Sequence, residues 1–249
     1  MLIVNAGDLG LSCEANAGIM AAFASGLISS ATLMANMPGF EEACQLVMDY
    51  GCGKRVGVHV NLTQGRPITA QVQRLRAVCD REGLFHGHVP HLTRLTGSDR
   101  AIVADEVAAQ VKRIREHGIE PTHADAHHHV HTRLGLLEVV CTALRELRVP
   151  AIRISRNLGG LTPWASAAKY VINRRIRSYG FWTTQWFGSA SDSELSPRHL
   201  ASPIELMTHP ISVRGRILDG AGEVTLAAVM RRHLAMCPGL SPYPACHTG

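Results

Sequence analysis

The chain opens on a short apolar run, residues 2–6, that ends at Gly7-Asp8-Leu9-Gly10, the pattern of a buried strand entering a loop. Ser12 then offers a cap, Glu14 falls in the first helical turn, and Gly26 stops a helix rich in Ala, Ile and Met. The alternation repeats downstream. Residues 29–34 and 56–62 read as strands, with an amphipathic helix over 40–50 between them, and the second strand closes at Thr63-Gln64-Gly65. Residues 64–98 hold much Gly, Pro and His with little periodicity, and are expected to make a long excursion over a site. A helix over 99–117, a strand over 122–126, a helix over 134–147 and a strand over 151–154 follow. Beyond a helix near 163–179 the pattern weakens, leaving a late strand at 204–208 and a loop-like tail from Pro238.

Short apolar strands alternating with helices predict an α/β protein with a parallel sheet, either a barrel or an open doubly wound sheet. In both, the loops at the C-terminal ends of the strands carry the chemistry. At 249 residues and 46% hydrophobic, the chain can bury one sizeable core; without an internal repeat or a low-complexity linker, it reads as a single domain over 1–249. No apolar run approaches the roughly 20 residues of a membrane span, so no membrane partner is expected. Twenty-five Lys+Arg against 20 Asp+Glu leave a scattered +5, which argues against nucleic acid, and Arg174, Arg175 and Arg177 read as a solvated helix face. The seven Cys form no C-x-x-C pair, and Met1 runs straight into Leu-Ile-Val without a basic leader. Both features predict reduced thiols in a cytoplasmic protein.

The 14 His residues stand out, because imidazole is both a metal ligand and a proton carrier near neutral pH. Three predicted strands end in polar groups: Asp8, His59 with Asn61, and His127. One carboxylate and two imidazoles on a rigid scaffold make a three-ligand metal site with positions left open for water and substrate. Pro121-Thr122-His123-Ala124-Asp125-Ala126-His127-His128-His129-Val130-His131 is the strongest local signal. If its strand geometry continues, 123, 125, 127, 129 and 131 share one side. His127 is then the expected ligand, with Asp125 and His129 orienting a neighbouring imidazole or touching substrate. His209, before Pro210 at the late strand, is placed to act as a general acid. Arg153 either neutralises a carboxylate in the site or is an exposed strand residue.

These segments resemble a known family. Asn5-Ala6-Gly7-Asp8-Leu9-Gly10-Leu11-Ser12 is similar to the opening N-A-D-D-F-G-L-S motif of the YdjC-like carbohydrate deacetylases, the family of the chitooligosaccharide deacetylases. Gly57-Val58-His59-Val60-Asn61-Leu62-Thr63 resembles their G-x-H-x-x-L-T segment, Pro121 to His131 their P-T-H-x-D-S-H-H-H-V-H segment, and Met207-Thr208-His209-Pro210 their late H-P motif. The matches come in family order across residues 3 to 210, with little to match over 64–98 and 155–200. The resemblance implies a (β/α) barrel-like fold of distorted TIM type and a divalent metal, Mg or Zn, held by Asp8, His59 and His127. It also implies hydrolysis of the N-acetyl group of an amino sugar or small glycoconjugate, with His209 protonating the departing amine. It allows a homodimer.

One departure falls on the reaction itself. Where the family has the first Asp of its Asp-Asp pair, its presumed general base, this chain has Gly7, so turnover is expected either to be weakened or to use another base, Asp125 or Glu14. Two other functions use the same ligands. A catalytically silent member would keep metal and sugar without turnover. A non-haem iron oxygenase also uses two His and one carboxylate, but its nearest ligands usually run H-x-D/E, and His59-Val60-Asn61 lacks the acid.

Overall fold

The computed structural model describes residues 1–90, 93–220, 224–237 and 239–244. Its first half follows the predicted alternation: β1 (Leu2–Leu9), α1 (Cys13–Ala24), β2 (Ser30–Leu33), α2 (Phe40–Asp49) and β3 (Val56–Val60). Among its described residues the expected excursion holds the one-turn α3 (Ala70–Gln73), before α4 (Gly97–Glu116) and β4 (Ala124–Ala126). Helices α5 (Leu134–Glu146) and α6 (Pro163–Arg177) come next. The remainder is β5 (Trp186–Ser189), α7 (Pro197–Leu200), β6 (Ile204–Thr208), β7 (Pro210–Val213), β8 (Arg216–Asp219) and α8 (Leu226–Met236).

Local chemistry sets the helix starts. Ser12 Oγ accepts from Ala15 N, as expected of it. Thr96 and Asp99 form a reciprocal capping box that begins α4 two residues ahead of the predicted start. Thr162 caps α6 with Pro163 at the first helical position, where the missing N–H costs nothing.

Six strands form one parallel sheet in the order β4-β3-β2-β1-β6-β5. The sheet is an open half-barrel, compatible with the barrel-like fold that the resemblance implies but not a closed TIM barrel. The predicted strand 151–154 is the reason. It makes single bridges, Ile152 to Ala124 of β4 and Ala151 to Trp182 ahead of β5. Beyond them, side chains take the backbone groups a ladder would need: Asn173 bonds both the N–H and the C=O of Ser155, and Asn157 Oδ1 accepts from Phe187 N. β7 and β8 pair separately as an antiparallel hairpin.

Strand periodicity divides each strand between two faces. Leu2, Val4 and Ala6 of β1 join the main hydrophobic core, whereas Ile3 packs with Ala151 and Tyr243 in a second, small cluster. Above Ile3 on the same face come Asn5 and then Gly7. Asn5 is fully buried and bonds His123 and Asp125 of the facing segment. Gly57 permits this concave packing, because a Cβ there would overlap the His123 carbonyl. The concave face is therefore polar and layered, with its upper edge at the strand C-termini.

Six of the seven cysteines are free thiols, and Cys246 lies outside the described residues. Burial pushes Cys44, Cys79 and Cys141 up to about 12, which suits packing rather than reactivity. Among the described residues no helix is long and apolar enough to cross a membrane.

Candidate metal centre

Asp8 ends the regular part of β1 in a left-handed conformation, φ 67°, that an L-residue adopts only when its surroundings hold it there. The turn aims its carboxylate at two imidazoles. Oδ1 lies 3.2 Å from His59 Nε2 and 2.9 Å from His127 Nδ1, and the three ligand atoms fall within 4.8 Å of one another. Neither approach has hydrogen-bond geometry, so Asp8 Oδ1 and His59 Nε2 are both buried without a partner.

The outer nitrogens explain why. His59 Nδ1 sits 2.6 Å from Asp125 Oδ1, and His127 Nε2 sits 2.8 Å from Gln64 Oε1. A ring that donates outward presents a bare lone pair inward. Three acceptors then converge on one point with no proton between them, and only a cation or an added proton relieves that arrangement. The donor set, two nitrogens and one carboxylate oxygen, suits a divalent ion with open positions. Without an ion, burial opposes charging His59, but the Asp125 and Asp8 carboxylates outweigh it and raise the ring to about 9. Burial likewise opposes ionising Asp8, yet His127 and His59 hold it well below the ordinary carboxylate range.

Asp125 itself is fully committed. Oδ1 takes His59, and Oδ2 takes Arg153 Nη1 at 2.5 Å and Asn5 Nδ2 at 3.4 Å. Arg153 is 1% exposed, which resolves its two sequence readings in favour of a buried counter-ion. On its other side it reaches Glu205 Oε1, with Nε at 2.7 Å and Nη2 at 2.6 Å.

The His-rich segment does not stay extended. After Ala126 it turns into a short 3-10 helix in which His128 and His129 hold φ 50° and 54°, so the expected alternation stops at His127. The two left-handed residues turn the chain away from the sheet directly after His127. His131 folds back to bond the Arg153 carbonyl at 3.0 Å. His129 packs edge-on to Phe187, 5.9 Å between ring centres, with Nδ1 buried and unpaired. His128 stays exposed beside His127 and lines a cleft of about 370 Å³ with Arg133, Thr63 and the excursion's Gly87, His88 and Val89.

On the opposite side stands His209. A Cβ added at Gly7 would lie 3.2 Å from His209 Cδ2 and Nε2 and 3.5 Å from His59 Cε1, so glycine leaves room for the His209 ring beside the three ligands. Burial holds that imidazole below its ordinary value although Asp8 pulls the other way, which keeps it neutral near pH 7. Asp219 Oδ1 fixes its position by accepting from Thr208 Oγ1 at 2.6 Å and His209 N at 2.9 Å.

A family model for YdjC-like proteins matches residues 1–232. The chain belongs to the YdjC-like family. Among relatives, the carbohydrate deacetylase of Brevibacillus brevis is 40% identical over 149 residues, 60% of this chain and 57% of that protein. That of Geobacillus stearothermophilus is 41% identical over 150 residues, 59% and 57%. The alignment therefore spans less than three fifths of each bacterial relative. The Homo sapiens carbohydrate deacetylase is 30% identical across the whole chain, 78% of its own length. Two crystal structures share the fold. A candidate cellobiose-phosphate cleavage protein of Enterococcus faecalis superposes with TM-score 0.64 at 21% identity, covering 93% of this chain and 88% of its own. The lactam utilization protein of Thermus thermophilus gives 0.52 at 18%, covering 98% and 100%.

Within this YdjC-like chain, Asp8, His59, His127, Asp125 and His209 share one end of the half-barrel. Glu14 does not reach it from the exposed first turn of α1. Asn61 serves the turn rather than the centre: its Oδ1 accepts from Thr63 N and Gln64 N, which presents Gln64 to His127. Gln64 and Asp219 escaped the sequence reading. Gln64 had one available signal, its place just past the strand that carries His59; Asp219 had none, because β7 and β8 carry no strong alternation.

Proposed function

We propose that this protein is a metal-dependent carbohydrate deacetylase that hydrolyses the N-acetyl group of an amino sugar or small glycoconjugate. The convergence of Asp8 Oδ1, His59 Nε2 and His127 Nδ1, with no proton donor among them, carries the reading. Family membership supplies the reaction class. A bound divalent ion, Mg or Zn, supplies a water of lowered pKa and a Lewis acid for the acetamide carbonyl.

The residues divide the remaining work. Asp125 holds His59 in the tautomer that leaves Nε2 free, and Gln64 does the same for His127 Nδ1. Neither oxygen of Asp125 is left to accept a proton from water, so its part is to orient, not to act as base. His209, neutral and next to Gly7, is the proton carrier: its imidazole accepts a proton and returns it to the departing amine.

Gly7 also favours a second reading, a silent member that binds metal and sugar without turnover. One pair of measurements separates the two. Metal analysis of the purified protein should find one divalent ion per chain, lost in Asp8→Ala, His59→Ala and His127→Ala but kept in His128→Ala. Acetate release from N-acetylglucosamine oligomers should then be measurable in the loaded protein. Full occupancy in His127→Ala would overturn the ligand set; sugar binding without acetate release would establish the silent reading.

A further inference from the structure

Residues 239–244 lie beyond the family match, yet they reach the centre of the molecule. Ser241 N bonds the Leu2 carbonyl at 2.8 Å, at the end of the sheet opposite the metal centre. Tyr243, 2% exposed, closes that end from inside. Its ring stacks on His123 at 3.8 Å and 10°, and Trp182 meets it edge-on at 5.6 Å. The hydroxyl donates to Glu205 Oε2 at 2.6 Å.

From there a single file of buried side chains runs up the concave face. Glu205 Oε1 receives Arg153, Arg153 Nη1 meets Asp125 Oδ2, and Asp125 Oδ1 holds His59 Nδ1, at distances of 2.5 to 2.7 Å throughout. Each of these residues is at most 2% exposed, so bulk solvent does not screen its bonds. One arginine stands between two carboxylates. How it divides between them depends on what else each carboxylate receives: Glu205 has only Arg153 and Tyr243, whereas Asp125 also has His59 and Asn5. Removing the Tyr243 hydroxyl leaves Glu205 Oε2 bare, which draws Arg153 toward Glu205 and loosens its hold on Asp125.

We infer that Tyr243 is a positioning residue for the metal centre, setting the orientation of His59 through Glu205, Arg153 and Asp125. The inference rests on the metal-site reading above. Asp125 is the direct support of a ligand, where losses of 10- to 100-fold in metal affinity are typical. Tyr243 acts two links further away, so a loss of about 3- to 10-fold is expected.

The test compares wild type, Tyr243→Phe, which keeps the stacked ring, and Trp182→Phe, which disturbs the same packing but touches no bond of the chain. Co²⁺ titration of the metal-free protein, followed by visible absorption, gives the affinity. Proton NMR of the metal-free protein follows the downfield Nδ1–H of His59, identified by its loss in Asp125→Asn. Weaker Co²⁺ binding and a shifted His59 proton in Tyr243→Phe alone support the inference. Wild-type behaviour of Tyr243→Phe in both measurements overturns it, and so does an equal change in Trp182→Phe, which would make Tyr243 a packing residue only. If wild type takes up no Co²⁺, the metal reading falls, while the His59 proton still decides whether the chain transmits. Should Tyr243→Phe fail to fold, Glu205→Gln breaks the file at its next link and is read the same way.

Discussion

Gly7→Asp introduces a carboxylate where the resemblance implies the family's general base, and the structure says what that change meets. Gly7 lies in the extended part of β1 and is not among the positive-φ glycines, so aspartate incurs no backbone strain there. Its Cβ, however, would stand 3.2 Å from His209 Cδ2 and Nε2. That is tighter than ordinary van der Waals contact, and the imidazole must yield by a few tenths of an ångström. Overpacking of this kind costs about 1–3 kcal/mol of stability, or roughly 2–12 °C in Tm for a chain of this size. Against it, a positioned general base contributes about 10²–10⁴ in rate, roughly 3–5 kcal/mol of barrier. The variant should therefore melt earlier and turn over faster. Gly7→Ala is the control, since it brings the same Cβ contact without a carboxylate. Steady-state acetate release by the three proteins, with metal content and circular dichroism checked, decides the matter. A folded, metal-loaded Gly7→Asp protein no faster than Gly7→Ala refutes the reasoning, because the position would then not address the reacting water.

Further outcomes are expected. His209→Ala should slow acetate release by about 10²–10⁴ without changing metal content, since moving a proton is separate from coordinating the ion; lost metal would make His209 a ligand. Arg153→Met leaves Asp125 and Glu205 buried without their shared cation, and should cost roughly 3–5 kcal/mol, seen as a Tm drop of about 6–20 °C; an unchanged Tm would show the pair to be weakly coupled to the fold. Burial holds His123 down at about 3 and His131 at about 4, so both stay neutral in the folded protein. The unfolded chain takes up protons below its ordinary imidazole value near 6.5, so this stability is intact above that pH and is lost progressively as the pH falls toward 4. Urea midpoints across that range check the sign, and a flat profile would contradict it.

The sequence by itself determined what is local. The apolar runs and their caps located β1, α1, β2, α2 and β3 within one to three residues, because burial period and capping chemistry act over a few neighbours. The same period placed Asp8, His59 and His127 at strand ends, and a rigid parallel sheet brings such ends together whatever lies between them. What the tertiary structure decided depends on partners distant in the chain. Strand β5 and the β7–β8 hairpin are short and only partly buried, so their pairing is set by neighbours rather than by pattern. The sheet stays open because Asn173 and Asn157 side chains satisfy backbone beyond 151–152. The His-rich run could not announce its own turn, since three consecutive imidazoles fit strand and 3-10 helix alike and the left-handed pair at 128 and 129 is held by tertiary packing. Arg153 could not be assigned from its strand for the same reason: a buried charge is tolerable only beside its counter-charges, and Asp125 and Glu205 lie 28 and 52 residues away. The tail read as loop, and its described residues 239–244 are loop, but burial of Tyr243 against His123 and Glu205 makes them part of the interior.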